Sequence, residues 1–131
     1  MEQLEQEYPD VTFVYATGTA EEQGSYGFNR YMRNLQIRDY CTVHGKALYD
    51  FADIESWYAG NQATYLYDGI QVPYLHPELY GNDAEHASYL NCEYKGMAFW
   101  NLAVQDVVIT GNDHVPAATG LGEIYPNPFN Q

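Results

Sequence analysis

Asp83-Ala84-Glu85-His86 has the residue types and spacing for proton transfer. A neutral imidazole can take a proton from a hydroxyl nucleophile. A carboxylate on its other nitrogen fixes the tautomer and stabilises the imidazolium that forms. Three-residue spacing lets one turn of chain present Asp83 and His86 to the same cleft. Asp83 and Glu85 both favour the charged imidazole. Taken alone the pattern is weak, because an exposed histidine near an acid occurs often by chance, so its weight depends on the surroundings.

Other chemistry has less support. There is no G-x-x-x-x-G-K-[ST] phosphate loop, and Gly120-Leu121-Gly122 is not a dinucleotide fingerprint. No C-x-x-C, no H-E-x-x-H and no D-x-[DN]-x-[DN]-G calcium loop occurs, so neither metal nor cofactor is expected. His44 reads as a helix-end residue, His76 as a loop residue and His114 as part of a linker. The serines are Ser25, Ser56 and Ser88. None lies in G-x-S-x-G with a strand before it and a helix after it.

The elements that must position the Asp83/His86 pair can be read from the pattern. Gln3 to Tyr8 reads as the last turns of a helix, stopped by Pro9-Asp10. Val11-Thr12-Phe13-Val14-Tyr15 reads as a strand buried on both faces. Thr17 to Gly27 reads as a loop. Phe28 to His44 reads as a helix with Phe28, Tyr31, Met32, Leu35 and Val43 on one face, ended by Gly45 in the left-handed conformation. Ala47 to Phe51 reads as a second strand. Strand, helix, strand implies a parallel pair. Trp57 to Gly81 reads as a long loop with a small hairpin at Asp68-Gly69. Asn91 is placed to cap a helix over Cys92 to Asp106, which Val107-Val108-Ile109 either ends or follows as a short strand.

The 131 residues carry 5 Lys plus Arg against 18 Asp plus Glu, a formal charge of −13. That length suits one domain with a real core. Hydrophobic residues make up 46% and aromatics 16%, which argues against intrinsic disorder. The acid excess excludes nucleic acid and anionic membrane surfaces as natural partners, and no apolar run is long enough for membrane insertion. Met1 to Glu7 has no basic or apolar region of a signal peptide. Cys41 and Cys92 either form one bridge or stand as two buried thiols. The Tyr-rich stretch offers Trp57, Tyr58 and Tyr80 as substrate-binding rings; alternatively these rings only cover the end of the sheet.

From Leu4 to Val108 the order of elements resembles the C-terminal half of the SGNH (GDSL-type) hydrolases. The residues that carry the likeness are Pro9-Asp10-Val11-Thr12-Phe13-Val14, the helix Asn29 to His44, Leu48-Tyr49-Asp50, then Asp83, His86, Asn91 and Gly96. The resemblance implies an α/β fold, a fragment of the three-layer α/β/α (flavodoxin-like) architecture with a short parallel sheet and an irregular C-terminal tail. It implies Asp83 as the orienting acid, His86 as the general base, Asp50 as a structural strand-end residue, and an ester of a small molecule or carbohydrate as substrate. The family's Gly-Asp-Ser nucleophile block and its oxyanion-hole blocks are absent, so the chain reads as a fragment inactive by itself.

Glu123-Ile124-Tyr125-Pro126-Asn127-Pro128-Phe129-Asn130 resembles the opening of a type IX secretion C-terminal sorting domain. The resemblance implies an extracellular or cell-surface protein. The expected organisation is a hydrolase half-domain over 1–109, a linker over 110–122 and the start of a sorting domain over 123–131. A non-catalytic alternative is a self-associating module with an open sheet edge.

Overall fold

The computed structural model describes residues 1–20, 23–81 and 87–110, with side chains to residue 104. Helix α1 spans Glu2–Glu7 and ends at Tyr8, just before Pro9. Strand β1 spans Val14–Ala16. Helix α2, Gly24–His44, crosses to strand β2, Ala47–Tyr49. The two strands run parallel, with Tyr15 opposite Leu48. The strand–helix–strand unit read from the sequence is therefore present, within a chain that mixes helices with short strands.

Several boundaries and faces differ from the sequence reading. The first strand begins only at Val14, and Val11 and Val14 are exposed rather than buried. The physical reason is that β1 pairs on one side only among the described residues. Helix α2 starts at Gly24, not Phe28, and its buried residues are Gly27, Asn34 and Cys41. Met32 and Val43 face solvent. The inward face is partly polar because Asn34 exchanges two hydrogen bonds with the Gly18 backbone at 2.8 and 3.2 Å. Gly45 does end the helix with φ 59°, a conformation glycine adopts without steric cost.

The second strand stops at Tyr49 because the Asp50 side chain accepts the Asp53 N–H and starts helix α3, Phe51–Ser56. The stretch read as a long loop with a hairpin at Asp68-Gly69 has that hairpin and a second one before it. Strands β3 (Trp57–Tyr58) and β4 (Asn61–Gln62) turn at Ala59-Gly60, and β5 (Thr64–Tyr67) and β6 (Ile70–Pro73) turn at Asp68-Gly69. Both turns have two consecutive positive φ angles, near 49° and 77°, the geometry that matches strand twist in two-residue hairpins. A short 3-10 helix, Pro77–Leu79, follows.

Helix α4 spans Tyr89–Thr110 and packs on α3 and β2, whereas α2 packs on β1, β2, β5 and β6. Its cap is Ser88, whose Oγ accepts the Asn91 N–H at 3.1 Å. Asn91 lies inside the helix and is buried, so the sequence reading placed the cap three residues late. Val107-Val108-Ile109 continues the helix. The core gathers at α3 and the 72–79 stretch, with Ala52, Ile54, Val72, Leu75 and Leu79 buried. Thr110, read as the first residue of a linker over 110–122, instead ends α4; the rest of that linker and the sorting domain read over 123–131 fall outside the described residues.

Candidate functional site

The head of α4 is clamped to the 3-10 helix. Ser88 N donates to Leu79 O at 3.3 Å, and Tyr80 and Ala87 form an isolated antiparallel bridge. Leu79 is 0% exposed and seats this clamp in the core. His76 caps the 3-10 helix by accepting the Glu78 N–H at its Nδ1, 3.2 Å, a role beyond that of a plain loop residue. The clamp brings together the chain ends on either side of residues 82–86. Asp83 and His86 lie outside the described residues.

The carboxyl ends of β1 and β2 converge on Asp50. Its carboxylate accepts Arg38 Nε at 2.6 Å, Arg38 Nη2 at 2.9 Å, Thr17 Oγ1 at 2.8 Å and Asp53 N at 3.2 Å. Burial pushes this carboxyl up, but the Arg38 hydrogen bond and charge, with Thr17 and the Asp53 amide, hold it below the usual carboxylate range. With its lone pairs committed to scaffold donors, Asp50 is an organising residue.

Asp53 behaves oppositely. Burial and the neighbouring Asp50 charge push its carboxyl up, against the Trp57 hydrogen bond. The Trp57 Nε1–H donates to Asp53 Oδ1 at 3.2 Å. Tyr58 instead meets the His76 ring, with centroids 5.4 Å apart. Tyr80 is half exposed beside the bridge to Ala87. Trp57 and Tyr58 are neighbours in a strand, where successive side chains leave on opposite faces. Trp57 and Tyr58 therefore have different surroundings, Trp57 against α3 and Tyr58 against the start of the 3-10 helix, whose other end Tyr80 caps.

The serines have positions that fit scaffold roles. Ser56 is buried, donates to Asp53 O and accepts from Gln62 Nε2. Ser88 caps α4, and Ser25 is exposed in the first turn of α2. Cys41 is buried and Cys92 exposed, both as free thiols, so the expectation of one bridge or two buried thiols is not met.

Glu55 escaped the sequence reading. It is 0% exposed, and its Oε1 is 2.5 Å from Lys95 Nζ. The available signal was a carboxylate set between Ile54 and Ser56, which marks a buried charge only once α3 is recognised.

A cavity of about 10 Å³ lies among Thr19, Arg30, Asn34 and Arg38, room for about one water. A depression of about 580 Å³ lies between α1 and α2, lined by Tyr15, Arg33, Ile37 and Tyr40 among others, and includes no residue of 80–91. Among the described residues no three His, Cys, Asp or Glu side chains are grouped to hold a metal ion, and no helix is long and apolar enough to cross a membrane. Comparison with protein-family models, curated proteins and solved structures finds no match for this chain.

Proposed function

We propose that the chain is the C-terminal half of an SGNH-type hydrolase acting on an ester of a small molecule or carbohydrate. In this reading α2 and α4 cover opposite faces of a parallel sheet, completing three layers. His86 accepts the proton of a serine hydroxyl supplied from outside this chain. The serine oxygen attacks the ester carbonyl, and the imidazolium then gives that proton to the departing alkoxide. Asp83 holds the imidazole in the required tautomer. Water repeats the sequence on the acyl-serine and releases the acid.

The observation that carries this reading is the clamp at Leu79, Tyr80, Ala87 and Ser88. It holds Tyr80 beside Ala87, and Leu79 beside Ser88, at the start of a helix that packs on β2. Support also comes from the parallel β1–α2–β2 unit and from Asp50 as its organising strand-end acid. The Tyr125-Pro126-Asn127-Pro128-Phe129 segment supports export and surface attachment by a sorting domain.

Hydrolysis of p-nitrophenyl acetate by the full-length gene product, with His86→Ala beside it, tests the proposal. A drop of about 10³-fold or more in kcat is expected on removing the base. Equal rates in the two proteins end it. A second reading, self-assembly without catalysis, is favoured by one observation: Val14 is 37% exposed on a strand paired on one side only among the described residues. Light scattering of the 131-residue chain decides it, because a monomer rules out edge-driven assembly.

A further inference from the structure

A carboxylate sits at the meeting point of three chain segments. Glu55 Oε2 accepts the Ala20 N–H at 2.8 Å, in the loop that leaves β1. Glu55 Oε1 meets Lys95 Nζ at 2.5 Å, in the second turn of α4. The Glu55 carbonyl accepts the His76 N–H at 2.8 Å, at the start of the 3-10 helix. Ala20 O in turn accepts the Leu75 N–H at 2.7 Å, so the β1 loop is stitched between Glu55 and the same 3-10 approach. The Lys95 ammonium lies 5.3 Å from the Phe51 ring centroid, and its carbonyl accepts the Tyr49 hydroxyl at 2.7 Å.

An ion pair with one member wholly out of water is a poor way to gain stability, because desolvation offsets most of the attraction. Apolar side chains of similar volume would fill the space as well. What they would not supply is direction: a carboxylate with an amide donor on one oxygen and an ammonium charge against the other ties both groups to one point. Those groups belong to the loop after β1 and to α4, while the same residue's backbone holds the 3-10 approach.

We propose that Glu55 is a positioning residue. With Lys95 it sets the distance between the 3-10 helix and the head of α4. The geometric claim concerns only the Leu79–Ser88 clamp; its functional meaning rests on the reading of His86 as the base.

Amide hydrogen exchange on the 131-residue chain tests this. The reporter is Ser88 N–H, bonded to Leu79 O. The reference is Lys46 N–H, bonded to Cys41 O at the opposite end of β2. Lys95→Met is expected to speed exchange at Ser88 about tenfold more than at Lys46. Lys95→Arg, which keeps the charge, is expected to stay within about threefold of wild type at Ser88. The apolar pair Glu55→Leu with Lys95→Met is expected to regain the urea midpoint without regaining protection at Ser88. Equal acceleration at the two amides, or wild-type protection at Ser88 in the apolar pair, overturns the proposal by leaving Glu55 a purely stabilising role. No step of this test needs activity, so its failure is separate from failure of the hydrolase reading.

Discussion

Arg38 grips Asp50 side-on, with Nε 2.6 Å from Oδ2 and Nη2 2.9 Å from Oδ1. The pair joins the middle of α2 to the end of β2, and Thr17 Oγ1 extends it to the end of β1. Thr17 Oγ1 also accepts the Ala52 N–H at 3.0 Å, so one carboxylate organises both parallel strands and the first turn of α3.

Asp50→Ala removes the α3 cap and leaves half-buried Arg38 and buried Thr17 without their acceptor. A loss of about 2–4 kcal/mol is expected, kept below the full buried-pair figure because the Arg38 and Asp50 side chains retain some solvent contact. The pH dependence has a definite sign. The folded carboxyl is held low while the unfolded one titrates near ~3.9, so Asp50 adds stability above that pH and withdraws it as pH falls below it. Urea midpoints of wild type and Asp50→Ala should be far apart at neutral pH and converge in acid. A gap that persists unchanged in acid contradicts the assignment.

Asp53 should respond in the opposite sense. Burial and the Asp50 charge raise its folded carboxyl above the ordinary value, so its ionised form costs stability at neutral pH and the cost fades as pH falls through the raised value. Asparagine keeps an oxygen for Trp57 Nε1. Asp53→Asn is therefore expected to raise the urea midpoint modestly at pH 7 and to match wild type below about pH 3. A lower midpoint at pH 7 would mean that the carboxylate's place in the first turn of α3 outweighs its burial.

The parts of this fold that were legible in the sequence are those where a local rule and the final packing agree. Gly45 ends α2 because only glycine is at ease there, and Asp68-Gly69 turns a hairpin for the same reason. The parallel pairing followed from element order alone. The inward face of α2 was not legible, because its buried members include Asn34, whose burial makes sense only with Gly18 beside it. Helix α3 hid behind the apolar run Ala47 to Phe51, where Asp50 served equally as strand end and cap. Asn91 is of a type that caps helices, yet Ser88 is the cap and Asn91 is buried inside α4. At the candidate site, Asp83 and His86 were legible as a spacing. Glu55 was not, since an acid beside Asp53 and Ser56 gives no hint of a lysine forty residues on.

The two thiols should be distinguishable chemically. Cys92 is exposed on α4, whereas Cys41 is buried in α2 and its thiol is pushed up by burial and then by the Asp50 charge. The thiolate is the reacting form. A disulfide reagent at neutral pH is expected to modify one thiol per chain quickly, at Cys92, and to reach Cys41 only in denaturant. Peptide mapping of the modified protein gives the site. Two fast thiols, or none before unfolding, would contradict this arrangement of α2 and α4.

Leu79 and Tyr80 are adjacent but should differ sharply. Leu79 is 0% exposed and its carbonyl accepts Ser88 N–H at 3.3 Å, whereas Tyr80 is 45% exposed. Truncating a fully buried leucine loses its transfer free energy and leaves a cavity, so Leu79→Ala is expected to cost about 3–5 kcal/mol. Tyr80→Ala removes a ring that is already partly hydrated and leaves its backbone bridge to Ala87 in place, so a cost near ~1 kcal/mol or less is expected. Urea unfolding of the two variants side by side measures the difference. Because the clamp is seated by Leu79, its variant should also speed amide exchange at Ser88 under native conditions, while Tyr80→Ala should not. Equal costs for the two variants would show that the core does not close beneath the head of α4, and the clamp would then lack the foundation assigned to it.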